Sequence, residues 1–141
     1  MLPPNDRRYS ATHQWAQPTA EGTLAIGITD FAQDQLGDLM FVELASVGRV
    51  LKAGESCATL ESVKTASEVA SPISGTVYAV NETLKDHPEV LNTEPYDHWL
   101  VKITPHRAED YTQLLTAEDY QHSGWWDDCP SRKPVRGRGA G

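Results

Sequence analysis

Two cysteines in 141 residues, Cys57 and Cys129, lie 72 positions apart with no CxxC pair. That spacing gives neither a disulfide framework nor a thiolate metal site. No stretch approaches the roughly 20 apolar residues that a membrane-crossing helix needs. The start, Met1-Leu2-Pro3-Pro4-Asn5-Asp6-Arg7-Arg8, has no apolar core, so a secretory signal is not expected. A domain pattern beginning by Tyr9 also leaves no room for a transit peptide, and a cytoplasmic protein of bacterial type is the expectation. The five histidines (His13, His87, His98, His106, His122) form no HxxxH or HExxH pattern, so no metal site is expected. Ser62 has no GxSxG context, neither cysteine has an activated setting, and no carboxylates pair legibly across a cleft. No catalytic constellation follows from the residues.

A basic surplus is missing as well. Lys and Arg number 12 against 20 Asp and Glu, for a net charge of −8. The last eleven residues hold Arg132, Lys133, Arg136 and Arg138 and no acid, so the preceding body carries −12. Phosphate backbones need clustered bases on a folded face, which argues against nucleic acid. An acidic body favours basic protein partners met by electrostatic steering, or it serves solubility alone.

What the chain does have is a series of short β-type runs broken by glycine. Thr23–Ile28, Asp38–Leu44, Cys57–Leu60, Thr76–Val80 and Trp99–Ile103 read as strands, and Pro105 ends the last. Asp30 to Gly37 reads as a short helix, with Thr29 or Asp30 as cap, Ala32 and Leu36 facing the core, and Gly37 able to end it. Glu82 to Asn92, containing Pro88, reads as irregular or one-turn helical. Arg107–Leu115 and Thr116–Gln121 read as helices, with Thr116 as cap. Cys57 falls in a strand pattern and is expected to pack as a small apolar residue. Ser131–Gly141 is rich in Gly, Arg and Pro and is expected to be disordered. The length suits one domain, and the pattern predicts an all-β sandwich or barrel with peripheral helices.

Lys64 lies between two of these runs, in Glu61-Ser62-Val63-Lys64-Thr65-Ala66-Ser67, with Ser71-Pro72-Ile73-Ser74-Gly75 downstream. The arrangement predicts a hairpin with a primary amine at its tip. An isolated lysine there would ordinarily be a solvated turn residue. A rigid turn is also what a covalently attached swinging cofactor requires, since only the arm should move.

Other residues extend this pattern along the chain. They are Tyr9, Thr12-His13 and Trp15; Gly27 to Gln33; Leu36-Gly37-Asp38; Phe41 to Leu44; Val47-Gly48; and Gly54. Beyond the hairpin follow Pro72 to Gly75, Val80-Asn81-Glu82, Pro88-Glu89, Leu91-Asn92, Pro95-Tyr96 and Trp99-Leu100. With ESVK at the tip and SPISG after it, residues 9–122 resemble the H protein of the glycine cleavage system, in the lipoyl carrier superfamily. The resemblance implies a mainly β fold, the lipoyl-domain barrel-sandwich hybrid of two small antiparallel sheets, with peripheral N-side and C-terminal helices. It implies lipoic acid in amide linkage on Lys64 and a non-catalytic carrier role. Glu61, Ser62 and Gly75, eleven residues past Lys64, become candidates for recognition by the modifying enzyme. Gly75 would let backbones approach closely beneath the tip. All three equally fit ordinary turn roles. Residues 1–8 are then an N-terminal extension and 123–141 a C-terminal one.

The implied partners are a lipoate ligase or lipoyl transferase, then glycine decarboxylase, aminomethyltransferase and dihydrolipoyl dehydrogenase, with the chain acting as a monomer that shuttles an aminomethyl group. The chain departs from the family's pattern in places. It has His13-Gln14-Trp15 where His-Glu-Trp is usual, Ala45 where proline is usual, and Pro95-Tyr96-Asp97-His98-Trp99 without the usual glycines. Trp125-Trp126 and Cys129 are also atypical. An alternative is therefore an H-like lipoate-binding protein carrying sulfur to a heterodisulfide-reductase-like complex, which needs no carboxylate at position 14. A biotin carrier is disfavoured, because Lys64 is not in a Met-Lys-Met turn.

Overall fold

The computed structural model describes residues 3–122 and arranges them as two antiparallel sheets that share a core. In chain order the elements begin with β1 (Arg8–Tyr9), β2 (Gln14–Pro18), β3 (Leu24–Ile28), α1 (Asp30–Leu36), β4 (Leu39–Leu44) and β5 (Val50–Leu51). Then follow β6 (Ser56–Ser62), β7 (Ala66–Ala70), β8 (Gly75–Val80), α2 (Thr83–Asp86) and α3 (Val90–Thr93). The last are β9 (Val101–Pro105), α4 (Ala108–Thr112) and α5 (Ala117–Gln121). One sheet has the order β1-β2-β3-β9-β8-β5, the other β4-β6-β7. Neither closes into a barrel. The mainly β architecture with peripheral helices is the expected one.

Side-chain alternation sets the packing. Val42 and Leu60 are cross-strand partners on β4 and β6 and point inward, while Glu43 and Thr59, one register step on, point away. Val42, Leu60 and Val69 from the smaller sheet meet Ile26, Ile28, Val77 and Ile103 from the larger. Cys57 is buried in this core as a free thiol, and burial pushes its pKa up to about 12, so it packs as an apolar group.

Four strands are absent from the runs read in the sequence: β1, β2, β5 and β7, the last implied only as the second arm of the predicted hairpin. Gln14, Trp15 and Ala16 are consecutively buried, so β2 shows no period-two pattern, and its register is set by pairing with β3. Gly27, which weakens β3 as a sequence signal, is demanded by packing. It lies opposite Trp15, and a Cβ on Gly27 would fall 2.3 Å from the indole. Arg7 and Arg8, assigned above to an extension, are part of the packed body: Arg7 is buried and Arg8 is in β1.

A second, aromatic cluster sits at the β1–β2 end. Tyr9, Trp15, Tyr96 and Tyr120 pack together, with Tyr9 and Tyr120 stacked 4.8 Å apart. The Arg7 guanidinium lies 4.5 Å from the Trp15 ring centroid and donates to the Tyr96 carbonyl. Trp15 Nε1 donates to the Pro95 carbonyl. Trp125, Trp126, Cys129 and the segment from Ser131 lie outside the described residues.

Candidate functional site

The pairing Glu61↔Ala66 closes β6 and β7 into a hairpin with Lys64 exposed at its tip. Ser62 holds the turn. Its Oγ accepts from the backbone N–H of Lys64 and of Thr65, each at 3.2 Å, and donates to the Thr65 carbonyl. The Ser62 N–H also donates to that carbonyl at 2.8 Å. One hydroxyl thus fixes the backbone on both sides of the lysine. Sequence reading made Ser62 a recognition candidate; its geometry here is that of a brace.

The tip rests on the loop after α1. Thr29 caps α1, its side chain accepting from Ala32 N–H, and Gly37 ends it at φ 82°. A Cβ on Gly37 would lie 3.0 Å from Lys64 Cε and 3.5 Å from Nζ, so the lysine stem crosses directly over this glycine. The backbone at φ 82°, ψ −164° is what calls for glycine here, and a Cβ would push the flexible lysine stem aside by only a few tenths of an ångström. The Asp38 carbonyl accepts from Val63 N–H at 3.1 Å. Asn92, on α3, holds the same loop from below. Its Nδ2 donates to the Gly37 carbonyl (2.8 Å) and to Gln33 Oε1 (2.9 Å), and its Oδ1 accepts from Leu39 N–H (2.9 Å). Gly37 and Asn92 both stand in the motif segments, but nothing in their spacing reveals that they converge under Lys64.

Among the described residues, no ion pair or side-chain hydrogen bond engages Lys64 Nζ. The side chain is exposed. Glu61 is exposed on the outward face of β6, three residues before it. Gly75 requires a correction. It opens β8, beyond the base of the β6–β7 hairpin, and so does not lie beneath the tip. The close approach expected of it is present at the other end of the hairpin: a Cβ there would fall 2.3 Å from the Thr104 carbonyl oxygen on β9. Of the four residues singled out, the structure brings Lys64, Ser62 and Glu61 together and leaves Gly75 apart.

Beside the tip, α1 and β7 enclose a cleft of about 190 Å³ whose lining includes His13, Gln14, Phe31, Leu36, Ser67 and Val69. Gln14 is buried and committed to its own loop. Its Oε1 accepts from Ser10 Oγ and Thr12 Oγ1, both at 2.6 Å, and its Nε2 donates to the Thr12 carbonyl at 3.0 Å. The cleft therefore receives no formal charge from this position. His13 adopts φ 73°, and its Nδ1 lies 2.6 Å from Tyr120 Oη, which donates to the capping Thr29. Burial lowers the His13 pKa, so the ring is neutral at neutral pH. Among the described residues no group of His, Cys, Asp and Glu could hold a metal ion, and no helix is long and apolar enough to cross a membrane.

This arrangement can present one amine for acylation on a fixed backbone, next to a cleft of mixed polar and apolar lining. A family model described as glycine cleavage H-protein matches residues 7–124. The glycine cleavage system H protein of Alkalilimnicola ehrlichii is 49% identical over 119 residues, covering 84% of this chain and 92% of that one. The H protein of Listeria innocua is 49% identical over 122 residues, covering 86% and 97%. The crystal structure of a glycine cleavage system H protein from Mycobacterium marinum matches with a TM-score of 0.75 and 41% identity, over 84% of this chain and 96% of that one.

Proposed function

The chain belongs to the glycine cleavage H-protein family, and from that premise we propose that Lys64 bears a lipoyl group in amide linkage. The protein is a lipoyl carrier of glycine cleavage, a subunit that hands a bound group between enzymes. The observation that supports Lys64 is its exposed, unpaired amine on a turn locked by Ser62. When attached, the lipoyl group supplies a disulfide–dithiol pair able to take up and release both a carbon group and two electrons.

The chain's own residues bind and orient. Ser62 and the Gly37–Leu39 loop hold the pivot, Gly37 leaves room for the lysine stem, and the cleft between α1 and β7 offers a resting place of mixed polar and apolar lining. Gln14 offers cargo in the cleft a neutral amide, and Glu68 supplies a carboxylate to the same lining. Glu61 would contact the modifying enzyme, while Gly75 would contribute by packing β8 against β9.

A lipoate ligase or lipoyl transferase would load the protein in the cytoplasm. The monomer would then serve the pyridoxal-phosphate decarboxylase, the aminomethyltransferase and dihydrolipoyl dehydrogenase. The carrier unit would be residues 9–122. The relatives reported above carry the glycine-cleavage name, and no observation favours the sulfur-carrying alternative. Intact mass after incubation with lipoate, ATP and a ligase should rise by one lipoyl group, mapped to the peptide containing Lys64. Lys64→Arg should abolish the shift, and a shift that persists in this variant would overturn the assignment.

A further inference from the structure

Three large apolar side chains stay in water around the tip: Met40 is 63% exposed, Phe41 48% and Val63 64%. In an uninterrupted strand residues 40 and 41 would point to opposite faces. The register shift between Leu39 and Phe41 bends β4 and turns both outward. Val63 joins them because its N–H binds the Asp38 carbonyl at the start of that strand. Exposing apolar groups through a local irregularity costs burial without gaining anything inside the fold, which points to use outside it.

The surroundings are acidic. Phe41 lies across from Glu61, and Glu61 from Ala66; the next outward row is Glu43, Thr59 and Glu68. These two rows hold three carboxylates and no base. Arg49 and Lys85 line the groove that also holds Phe41, Glu43 and Thr59, and neither belongs to these two rows. Like charge disfavours a second copy of this chain, an anionic lipid surface or a nucleic acid here. A basic protein surface complements it.

Geometry selects among such partners. The enzyme that acylates Lys64 must bring the bare amine into its own centre, so its contacts have to fall beside the tip. Enzymes that use the finished carrier can reach it across the length of the arm. We propose that Met40, Phe41 and Val63, ringed by Glu43, Glu61 and Glu68, form the docking surface for the lipoyl-attaching enzyme. That enzyme would meet them with an apolar recess flanked by Lys and Arg at its active-site mouth. The proposal rests on the reading of Lys64 given above.

The test uses the unmodified full chain and a purified lipoate ligase, with binding read by biolayer interferometry and loading by intact mass. Met40→Ser with Phe41→Ser should raise both Kd and KM at least about tenfold, with kcat changed less than about twofold. Glu43→Lys with Glu68→Lys should raise Kd similarly and flatten its dependence on salt. These charge variants are at exposed positions and keep the proposal testable if the apolar pair unfolds. Tyr78→Ser, at a comparably exposed aromatic on β8, should change neither Kd nor KM. Unchanged Kd and KM in both double variants would overturn the docking surface, even with the native chain loaded on Lys64. A native chain that takes no lipoyl group would instead sink the Lys64 reading, while the binding measurements would still decide the surface.

Discussion

At the Lys64 tip, the side-chain bonds that fix the backbone run from Ser62 to residues two and three positions away. Around Trp15 they run from Trp15 to Pro95, Arg7 to Tyr96 and His13 to Tyr120, separations of 80, 89 and 107 residues. The tip is a local device that offers a group to solvent. The aromatic end is a non-local clamp that ties the first strands to the last helix. The division suits a carrier: the group handled by other proteins sits on a local turn, and of the residues making the clamp bonds only His13 reaches the cleft beside it.

Substitutions should respect that division. The largest effect expected is Lys64→Arg, which should remove all lipoylation and all glycine-dependent carbon dioxide exchange with a decarboxylase. Its stability should change by about 0.5 kcal/mol or less, because the side chain is exposed. Next is Trp15→Ala at the clamp, expected to cost about 3–5 kcal/mol in denaturant unfolding through a large cavity and a lost hydrogen bond. The protein that remains folded should still be lipoylated at Lys64. A variant that folds well but is not modified would show that the two regions are coupled.

Asn92→Ala probes the join between them. It removes three hydrogen bonds and leaves Leu39 N–H without its acceptor, for an expected loss of about 1–3 kcal/mol. Unlike Trp15→Ala, it should also lower kcat/KM for lipoylation, since the loop beneath the tip loses its brace. The smallest effect concerns pH. The folded state lowers the His13 pKa, so its contribution to stability is complete above about pH 6.5, the unfolded value, and drains as pH falls toward the lowered one. Melting temperature should therefore fall as pH drops below about 6.5, by a few degrees at most. His13→Asn, which tolerates the positive φ, should flatten that slope; an unaltered slope would assign it to other groups.

The same contrast explains what could be read from the sequence. The hairpin was legible because its signals lie close together: strand residues, a short polar turn and the breakers at Ser71–Gly75. Helix α1 was legible from Thr29 at one end and Gly37 at the other, and the cap and the positive φ are both present. Strand β2 was not, because Gln14, Trp15 and Ala16 are all buried by neighbours distant in sequence, which erases alternation. Gly75 was assigned to the wrong end of the hairpin, since an eleven-residue spacing does not show where the chain reverses. The convergence of Gly37 and Asn92 beneath Lys64 had no signal in their spacing. It depends on α3 returning to α1, a tertiary fact.

Because Ser62 anchors the amides of both Lys64 and Thr65, the only fast motion left to the lysine is rotation about its side-chain bonds. Those flips take picoseconds to nanoseconds in an exposed residue. Productive protein encounters at micromolar concentration are separated by roughly milliseconds or longer. A visiting enzyme thus meets an amine that has already sampled every orientation open to it. The clock of each transfer is set by how often two proteins meet in register, and the lysine's own search adds no measurable delay.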